Sequence, residues 1–129
     1  MRKILTEISA GELLDKLSIL EIKLNKINNS SLLDKIKKEY AALNESKKTH
    51  IIFSKEIEKL YQILKGANEK LWTIEDEIRL CEKNSDFGEK FIKLARDVYF
   101  TNDKRSKTKL EINKILSSNI EEIKQYTDY

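Results

Sequence analysis

The chain has no proline, only three glycines, and one residue each of cysteine, histidine and tryptophan. Without proline the strongest helix breaker is missing. A lone cysteine, Cys81, cannot form an internal disulfide and is typical of a reducing compartment. No uncharged apolar run approaches the roughly 18 residues of a membrane-spanning helix, and the first residues do not resemble a signal peptide. We therefore expect a cytoplasmic protein with no membrane segment.

Motifs of known catalytic chemistry are also absent from the sequence. His50 is the only histidine and has no serine or cysteine partner in a recognisable pattern, and neither a glycine-rich phosphate loop nor a CxxC pair occurs. The sequence gives no support to nucleophilic catalysis. It leaves open whether the protein has any enzymatic activity and favours a non-enzymatic role.

What the chain does have is charge in a helical pattern. Charged residues make up 36% of its 129 positions and hydrophobic residues 40%, a composition typical of long solvated helices. The length predicts a single helical domain spanning 1–129. Apolar residues recur at spacings of three and four over most of the chain. We predict an all-α fold, an elongated antiparallel bundle of about four helices with a long central helix.

The first helix has a clear start signal and an unusual apolar distribution. Ser9 can accept a hydrogen bond from the backbone of Glu12, and Glu12 can reach back to Ser9. An apolar face then extends to about residue 28, yet Ile19 and Ile22 lie on the opposite side. A helix that is apolar on two sides is either central in its bundle or in contact with another subunit. The second alternative predicts a homo-oligomer through Ile19 and Ile22.

The middle of the chain predicts a turn followed by one long helix. The apolar stripe of the second helix, continued at the same spacing, reaches Lys47, His50 and Ser54, so we place a turn or kink within 44–50. From Ile57 the stripe is regular again and indicates a helix from about 51 to 83. Gly66 lies inside that helix, where glycine costs about 1 kcal/mol relative to alanine, and it indicates close packing or a bend.

The last helix allows two interpretations. Its core face continues from Val98 through Asn102, Arg105 and Lys109 before apolar residues return at Ile112. Either the helix breaks near 101–103, with Asp103 capping a new segment, or the bundle has a polar interior for about two turns. Residues 118–129 carry few stripe residues and predict a loosely docked tail.

Charged and aromatic residues beside the apolar stripes form the candidate site. In an antiparallel pair of helices, Glu75, Asp76 and Arg79 could face Arg96, Asp103 or Arg105 as an ion-pair network that fixes register. The alternative is a binding cleft with Trp72 and Tyr99 as stacking walls and arginines for an anionic group. The ligand-binding candidates are Trp72, Glu75, Asp76, Arg79, Arg96, Tyr99, Asn102, Asp103 and Arg105.

Metal and nucleic-acid chemistry have weaker signals. Glu12 and Asp15 share a helix face at i and i+3, as Mg²⁺ ligands do, but a matching second acidic pair is lacking, so we predict no metal site. These two residues and Lys16 remain secondary candidates for ligand binding. The 104–114 stretch is locally basic, yet the whole chain carries only +3. A solvated helix face explains it better than nucleic-acid binding.

Several segments resemble a family of small helical bacterial proteins known as a domain of unknown function. They are EISAGELLDKLSILEIK at 7–23, LWTIEDEIR at 71–79, FIKLARDVYFTNDKR at 91–105 and the pair Ile112-Asn113. The resemblance implies that the site candidates above are family positions, together with Gly11, Glu21 and Lys23. Relatives occur beside or fused to proteins that handle glycans, which is a hint of substrate class. We therefore expect a binding or interaction module with a charged and aromatic groove; the alternative is an enzyme or binding protein for a phosphorylated or nucleotide-linked small molecule such as a sugar, with Mg²⁺-dependent hydrolysis a minor alternative.

Overall fold

The computed structural model describes residues 2–129, which form four α-helices and no β-strand. The helices are α1 (Ala10–Lys26), α2 (Ser30–His50), α3 (Lys55–Lys83) and α4 (Glu89–Ile115). The all-α class and the number of helices are as predicted. Among the described residues, no helix has both the length and the apolar character needed to cross a membrane.

Helix α1 begins where its capping signal predicts. The Ser9 hydroxyl accepts a hydrogen bond from the backbone nitrogen of Glu12 at 3.1 Å. The sequence predicted that the Glu12 carboxylate would bind the backbone of Ser9. It instead accepts a hydrogen bond from Lys109 of α4 at 2.9 Å. The start of α1 is thus fixed partly by a local cap and partly by a contact with the far end of the chain.

Helix α1 is the central helix of the bundle. It packs against α2, α3 and α4, and its leucines enter one apolar core with residues of α3 and α4, namely Leu13, Leu14, Leu17, Ile57, Leu60, Tyr61, Leu64 and Ile112. Ile22 is only 3% exposed and Ile19 is half-buried. The central position explains why α1 is apolar on two sides without requiring a second subunit, and the homo-oligomer remains an untested prediction.

The predicted turn within 44–50 is wrong. Helix α2 continues to His50, the chain turns at 51–54, and α3 begins at Lys55 rather than near 51. The prediction failed because α2 lies on the outside of the bundle, where none of its 21 described residues is fully buried. A surface helix tolerates polar residues along its stripe, and Lys47 stacks on the ring of Phe53 at 4.5 Å.

Helices α3 and α4 form a hairpin that extends beyond α1. A short connection at 84–88 joins them, and near it they share a second apolar cluster centred on Ile74, Cys81 and Leu94. Helix α3 has 29 residues against 17 in α1, a difference of about 18 Å in length. A cross-section of the bundle contains all four helices only where α1 lies. At the hairpin end it contains only α3 and α4.

Helix α4 is continuous, so the interpretation with a polar interior is correct and the break near 101–103 is not. Thr101, Thr108, Lys109 and Asn113 are all buried within it. Lys109 and Asn113 can be buried because groups of α1 pair with them, and the Thr108 hydroxyl donates to the backbone carbonyl of Lys104 in its own helix. After Ile115 the chain leaves the helix, and residues 118–129 fold back along α4 until Tyr129 reaches Asp103. We call 118–129 the tail; most of its side chains are exposed.

Candidate functional site

The centre of the candidate site is the buried carboxylate of Asp15, which is 1% exposed. Arg105 binds it with two parallel hydrogen bonds, from Nε to Oδ1 at 3.0 Å and from Nη2 to Oδ2 at 2.5 Å. Asn68 of α3 donates a third hydrogen bond to Oδ1 at 2.8 Å. This two-pronged geometry is the strongest form of an arginine–carboxylate pair, and it ties α1, α3 and α4 together at one point.

Lys109 is the second cation of the site. Its ammonium lies 2.9 Å from Glu12, 3.5 Å from Asp15 and 3.9 Å from Glu122 of the tail. Its side chain is only 10% exposed, so it is a buried lysine surrounded by three carboxylates. Only the first of these distances is that of a hydrogen bond. The contact with the tail is an ion pair without one.

Gly11 brings the backbones of α1 and α4 together beside these charges. Its nitrogen donates to the Oδ1 of Asn113 at 2.6 Å. A β-carbon at this position would lie 2.6 Å from the carbonyl oxygen of Lys109, well inside van der Waals contact. The absence of a side chain at Gly11 therefore allows the approach that lets Glu12 and Asp15 reach α4.

Ser18 and Asn68 complete the site on the α3 side. The Ser18 hydroxyl donates to the backbone carbonyl of Asp15 and accepts from Asn68, both at 2.8 Å. We use the term polar cluster for the residues linked in this way, which are Glu12, Asp15, Ser18, Asn68, Arg105, Lys109 and Asn113. In residues 2–129, no fully buried side-chain nitrogen or oxygen lacks a hydrogen-bond partner.

The environment of Asp15 controls its ionisation. Burial by itself would raise the pKa of this carboxyl, but hydrogen bonds from Arg105 and Asn68 and the positive charges of Arg105 and Lys109 outweigh burial. The pKa of Asp15 is consequently below its ordinary value. The same hydrogen bond raises the pKa of Arg105, so both groups are charged at neutral pH.

The tail covers the outer side of the polar cluster. Glu122 approaches Lys109, and Tyr129 packs edge-on against the rings of Tyr99 and Phe100 while its hydroxyl donates to Asp103. This hydrogen bond raises the pKa of Tyr129 to about 12. Two cavities lie between α4 and the tail and share Asp103 and Tyr126 in their linings. One has about 270 Å³ beside Lys109, and the other about 480 Å³ beside Tyr99.

The structure divides the predicted site residues into three groups. Arg105 and two secondary candidates, Glu12 and Asp15, belong to the polar cluster, and Asn102 accepts from Arg105 at 3.4 Å. Tyr99 and Asp103 lie beneath the tail. The remaining candidates lie elsewhere on the surface of the hairpin or of α1, half-buried in the case of Trp72 and exposed for Glu75, Asp76, Arg79, Arg96 and Lys16.

The predicted ion pairs between α3 and α4 are wrong. Arg79 binds Glu75 of its own helix at 2.9 Å, in solvent, and Arg105 binds Asp15 of α1 instead. The reason is that α1 lies across α3 and α4 and offers a buried carboxylate to Arg105. Nor do Trp72 and Tyr99 face each other across a cleft, since Tyr99 contacts Phe100 and Tyr129, and the described lining of its cavity does not include Trp72.

Sequence reasoning missed the roles of Ser18, Asn68, Lys109, Asn113 and Glu122. A signal existed for Asn113, which follows Arg105 and Lys109 at the same helical spacing of four. No local signal marks Glu122, because its position depends on how the tail folds back. No group of three metal-binding side chains occurs in residues 2–129; Glu12 and Asp15 are bound by Lys109 and Arg105.

Residues 4–128 match the model of one protein family, which is described as "Family of unknown function (DUF6165)". The match covers nearly the whole chain and agrees with the resemblance to a family of unknown function. No curated protein and no solved structure is significantly similar to the chain.

Proposed function

We propose a function for this chain, which belongs to this family of unknown function. It is a binding module that captures the anionic group of a ligand at Lys109 and Arg105, beneath the tail. The ligand's carboxylate or phosphate would take the position beside Lys109 that Glu122 now occupies. The tail would close over the bound ligand or be displaced by it.

The observation that carries the proposal is the loose contact between Lys109 and Glu122. Their charged atoms are 3.9 Å apart, whereas Lys109 and Glu12 are 2.9 Å apart. The Glu122 side chain is 52% exposed and belongs to a segment without regular secondary structure. A buried ammonium gains more from an anion at hydrogen-bond distance than from an exposed carboxylate beyond it. An anion at hydrogen-bond distance from Lys109 would therefore be a stronger partner than Glu122.

Arg105 supports the same conclusion. Its Nε and Nη2 are engaged by Asp15, but its Nη1 has only a 3.4 Å contact with Asn102. A guanidinium in this state retains donor capacity for an oxyanion. Two cations, each with one weakly used donor, therefore lie on the same inward face of α4, one turn apart.

The energetics of folding do not by themselves explain these charges. Removing ions from water costs several kcal/mol each, and well-packed apolar residues in place of a buried ion pair are often neutral or stabilising by about 1 to 4 kcal/mol. The inward face of α4 nevertheless carries Arg105 and Lys109, at positions where an all-α bundle would place leucines. Ligand binding gives these residues a role that stability does not.

The cavity beside Lys109 has suitable chemistry for a small anion. Its volume is about 270 Å³, and its lining includes the polar side chains of Ser9, Ser106 and Asn113 together with the apolar surfaces of Leu110 and Tyr126. The lining also contains three lysines, Lys107, Lys109 and Lys124, against the two carboxylates of Asp103 and Glu122. Hydroxyl and amide groups can bind the oxygens of a carboxylate or phosphate, while the apolar residues can contact its carbon body.

The test is titration with two probes, inorganic phosphate and succinate, followed through the amide signal of Gly11 in protein labelled with ¹⁵N-glycine. We expect Lys109→Met to abolish the response and Lys114→Met, an exposed lysine of the same helix, to leave it unchanged. Glu122→Gln should tighten binding by up to about fivefold, because it removes a competing carboxylate whose partly exposed ion pair is worth at most about 1 kcal/mol.

We expect Lys109→Met to weaken probe binding and Glu122→Gln to strengthen it. A general loss of stability would not produce changes in affinity of opposite sign. Glu122 is exposed, so Glu122→Gln leaves the fold intact and remains informative even if Lys109→Met destabilises the protein. An unchanged or weaker affinity in Glu122→Gln would refute the proposal. The probe that binds more tightly distinguishes a phosphate ligand from a carboxylate ligand.

We further propose that the protein acts in the cytoplasm. The support is Cys81, which is buried in the α3–α4 cluster and unpaired. A free thiol as the only cysteine is typical of proteins that remain in a reducing compartment. Separation of cell fractions with detection of the intact chain tests this proposal.

A further inference from the structure

A separate cleft lies between α3 and α4, around Gly66. Its volume is about 380 Å³ and its lining includes Gly66, Ala67 and Lys70 of α3 and Phe100, Thr101 and Lys104 of α4. The described linings of this cleft and of the two cavities beneath the tail have no residue in common. We call it the Gly66 cleft.

Gly66 is not required by the conformation or the packing of the chain. Its φ angle is not positive, and no described atom outside its immediate surroundings lies within 4 Å of the position of a β-carbon. The close packing expected at Gly66 is therefore not present. Glycine in the interior of a helix destabilises it relative to alanine. What Gly66 contributes is the open space of the cleft.

Thr101 gives an independent sign of a ligand. This residue is 5% exposed, yet its hydroxyl makes no hydrogen bond within residues 2–129. Thr49, Thr73 and Thr108 are also helical, and each donates its hydroxyl to the carbonyl four residues earlier. Since no fully buried side-chain oxygen in residues 2–129 lacks a partner, the Thr101 oxygen is at the surface of an otherwise buried residue. The Thr101 hydroxyl lines the Gly66 cleft and is available to a molecule bound there.

Two lysines line the same cleft as Thr101. Lys70 and Lys104 form no salt bridge and no side-chain hydrogen bond with the residues that the structure describes. Lys70 influences Asp97 at longer range, but Asp97 is hydrogen-bonded to Lys93 at 2.8 Å. The cleft thus carries two positive charges and no carboxylate in its described lining. Its charge complement is a group with two negative charges.

We propose that the Gly66 cleft is a second ligand site, one that binds a small phosphate monoester with an apolar or planar body. The phosphate, with a charge of about −1.5 to −2 at neutral pH, lies between Lys70 and Lys104 and accepts a hydrogen bond from Thr101. The body of the ligand lies over Gly66 against the half-exposed ring of Phe100. A monocarboxylate leaves one of the two lysines without a partner, which is why phosphate is favoured.

The three glycines make the test specific. Gly11 lies beside the polar cluster, Gly66 in the cleft and Gly88 at the far turn of the hairpin, so ¹⁵N-glycine labelling gives one amide signal for each region. Phenyl phosphate is the probe. We expect saturable displacement of the Gly66 signal; any displacement of the Gly11 signal in addition reports on the site beneath the tail. Phenol and inorganic phosphate, each lacking one half of the probe, bind at least about tenfold more weakly.

Variants separate binding from folding. Gly66→Leu fills the cleft with a good helix former and is expected to abolish the response, whereas Gly66→Ala leaves most of the space and retains it. Lys70→Met and Lys104→Met each weaken binding about tenfold, while Lys59→Met, at an exposed lysine of α3 outside the cleft, does not. Thr101→Val weakens binding without loss of stability, since the hydroxyl has no partner in the fold, and Thr101→Ser restores it.

Three outcomes overturn the proposal. The Gly66 signal does not move, or Gly66→Leu binds phenyl phosphate as well as the unmodified protein, or the probe displaces the Gly11 signal instead. The last result places the probe beneath the tail, so it supports the first proposal while refuting this one. If the Gly66 signal responds to its probe and the Gly11 signal does not respond to phosphate or succinate, the first proposal is refuted and this one is supported.

Discussion

Replacing Gly11 and Gly66 by alanine, one at a time, should change stability in opposite directions although the chemical change is the same. At Gly11 the new methyl would lie 2.6 Å from the backbone oxygen of Lys109 and 2.9 Å from the side-chain oxygen of Asn113. A backbone atom cannot rotate away, so α1 and α4 must separate. At Gly66 the methyl meets no described atom within 4 Å.

The expected magnitudes follow from these distances. Overpacking of this kind costs about 1 to 3 kcal/mol, and a weakened hydrogen bond between Gly11 and Asn113 about 1 kcal/mol more. The gain in helix propensity is small at Gly11, which lies in the first turn, but approaches 1 kcal/mol in the middle of α3. We expect Gly11→Ala to destabilise the protein by about 2 kcal/mol and Gly66→Ala to stabilise it by about 0.5 to 1 kcal/mol.

Urea unfolding measures both changes, followed by circular dichroism at 222 nm and by Trp72 fluorescence, whose agreement tests two-state behaviour. Gly88→Ala serves as a control for a methyl without overlap, which would lie at an ordinary 3.6 Å from Asp86; because Gly88 is the N-cap of α4, it should show only the cost of alanine at a cap. If Gly11→Ala is as stable as the unmodified protein, α1 and α4 do not approach as closely as described. If Gly66→Ala is destabilised, the cleft around Gly66 is not open.

Three further predictions concern the charges. Arg105→Met should cost about 3 to 5 kcal/mol of unfolding free energy, because it leaves the Asp15 carboxylate buried without its partner, and adding Asp15→Leu should recover most of the loss in a double-mutant cycle. Glu75→Gln should change stability by less than about 0.5 kcal/mol, as expected for an exposed helical pair, and should show no coupling to Arg105→Met; a coupling would contradict the separation of these residues. The pKa of Asp15 is lowered by folding, so its stabilising effect is complete above the ordinary value of 3.8 and is lost as pH falls below it; stability measured from pH 6 to pH 2.5 should therefore fall more steeply for the unmodified protein than for Asp15→Asn.

Local signals in the sequence were sufficient for the start of α1 and for most of α3. Ser9 and Glu12 are three residues apart, and the stripe from Ile57 to Cys81 repeats without interruption, so each depends only on neighbouring residues. The end of α2 could not be predicted in this way, because the helix has little buried surface and its stripe has no sharp limit. The polar interior of α4 was visible as an alternative at Asn102, Arg105 and Lys109.

The pairing of charges could not be read from the sequence. The chain has 25 basic and 22 acidic residues, and Glu75 was as plausible a partner for Arg105 as Asp15. The path of α1 across the hairpin determines that Arg105 pairs with Asp15. That path depends on Gly11, whose close approach to Lys109 is a tertiary contact. The position of Glu122 depends in turn on the fold of the tail.

The central position of α1 has a consequence for the order in which the protein folds. Its polar contacts with α4 and with Ser118 join residues that are 90 to 108 positions apart in the chain, whereas α3 and α4 are joined by a short connection and share an apolar cluster of their own. Closing a longer loop costs more entropy, and non-local contacts form late. During synthesis, α1 is complete long before Arg105 and Asn113 exist. Leu13, Leu14 and Leu17, which end buried in the apolar core, must therefore wait longest in solvent, and the nascent chain is most exposed to aggregation through the helix that finally becomes its core.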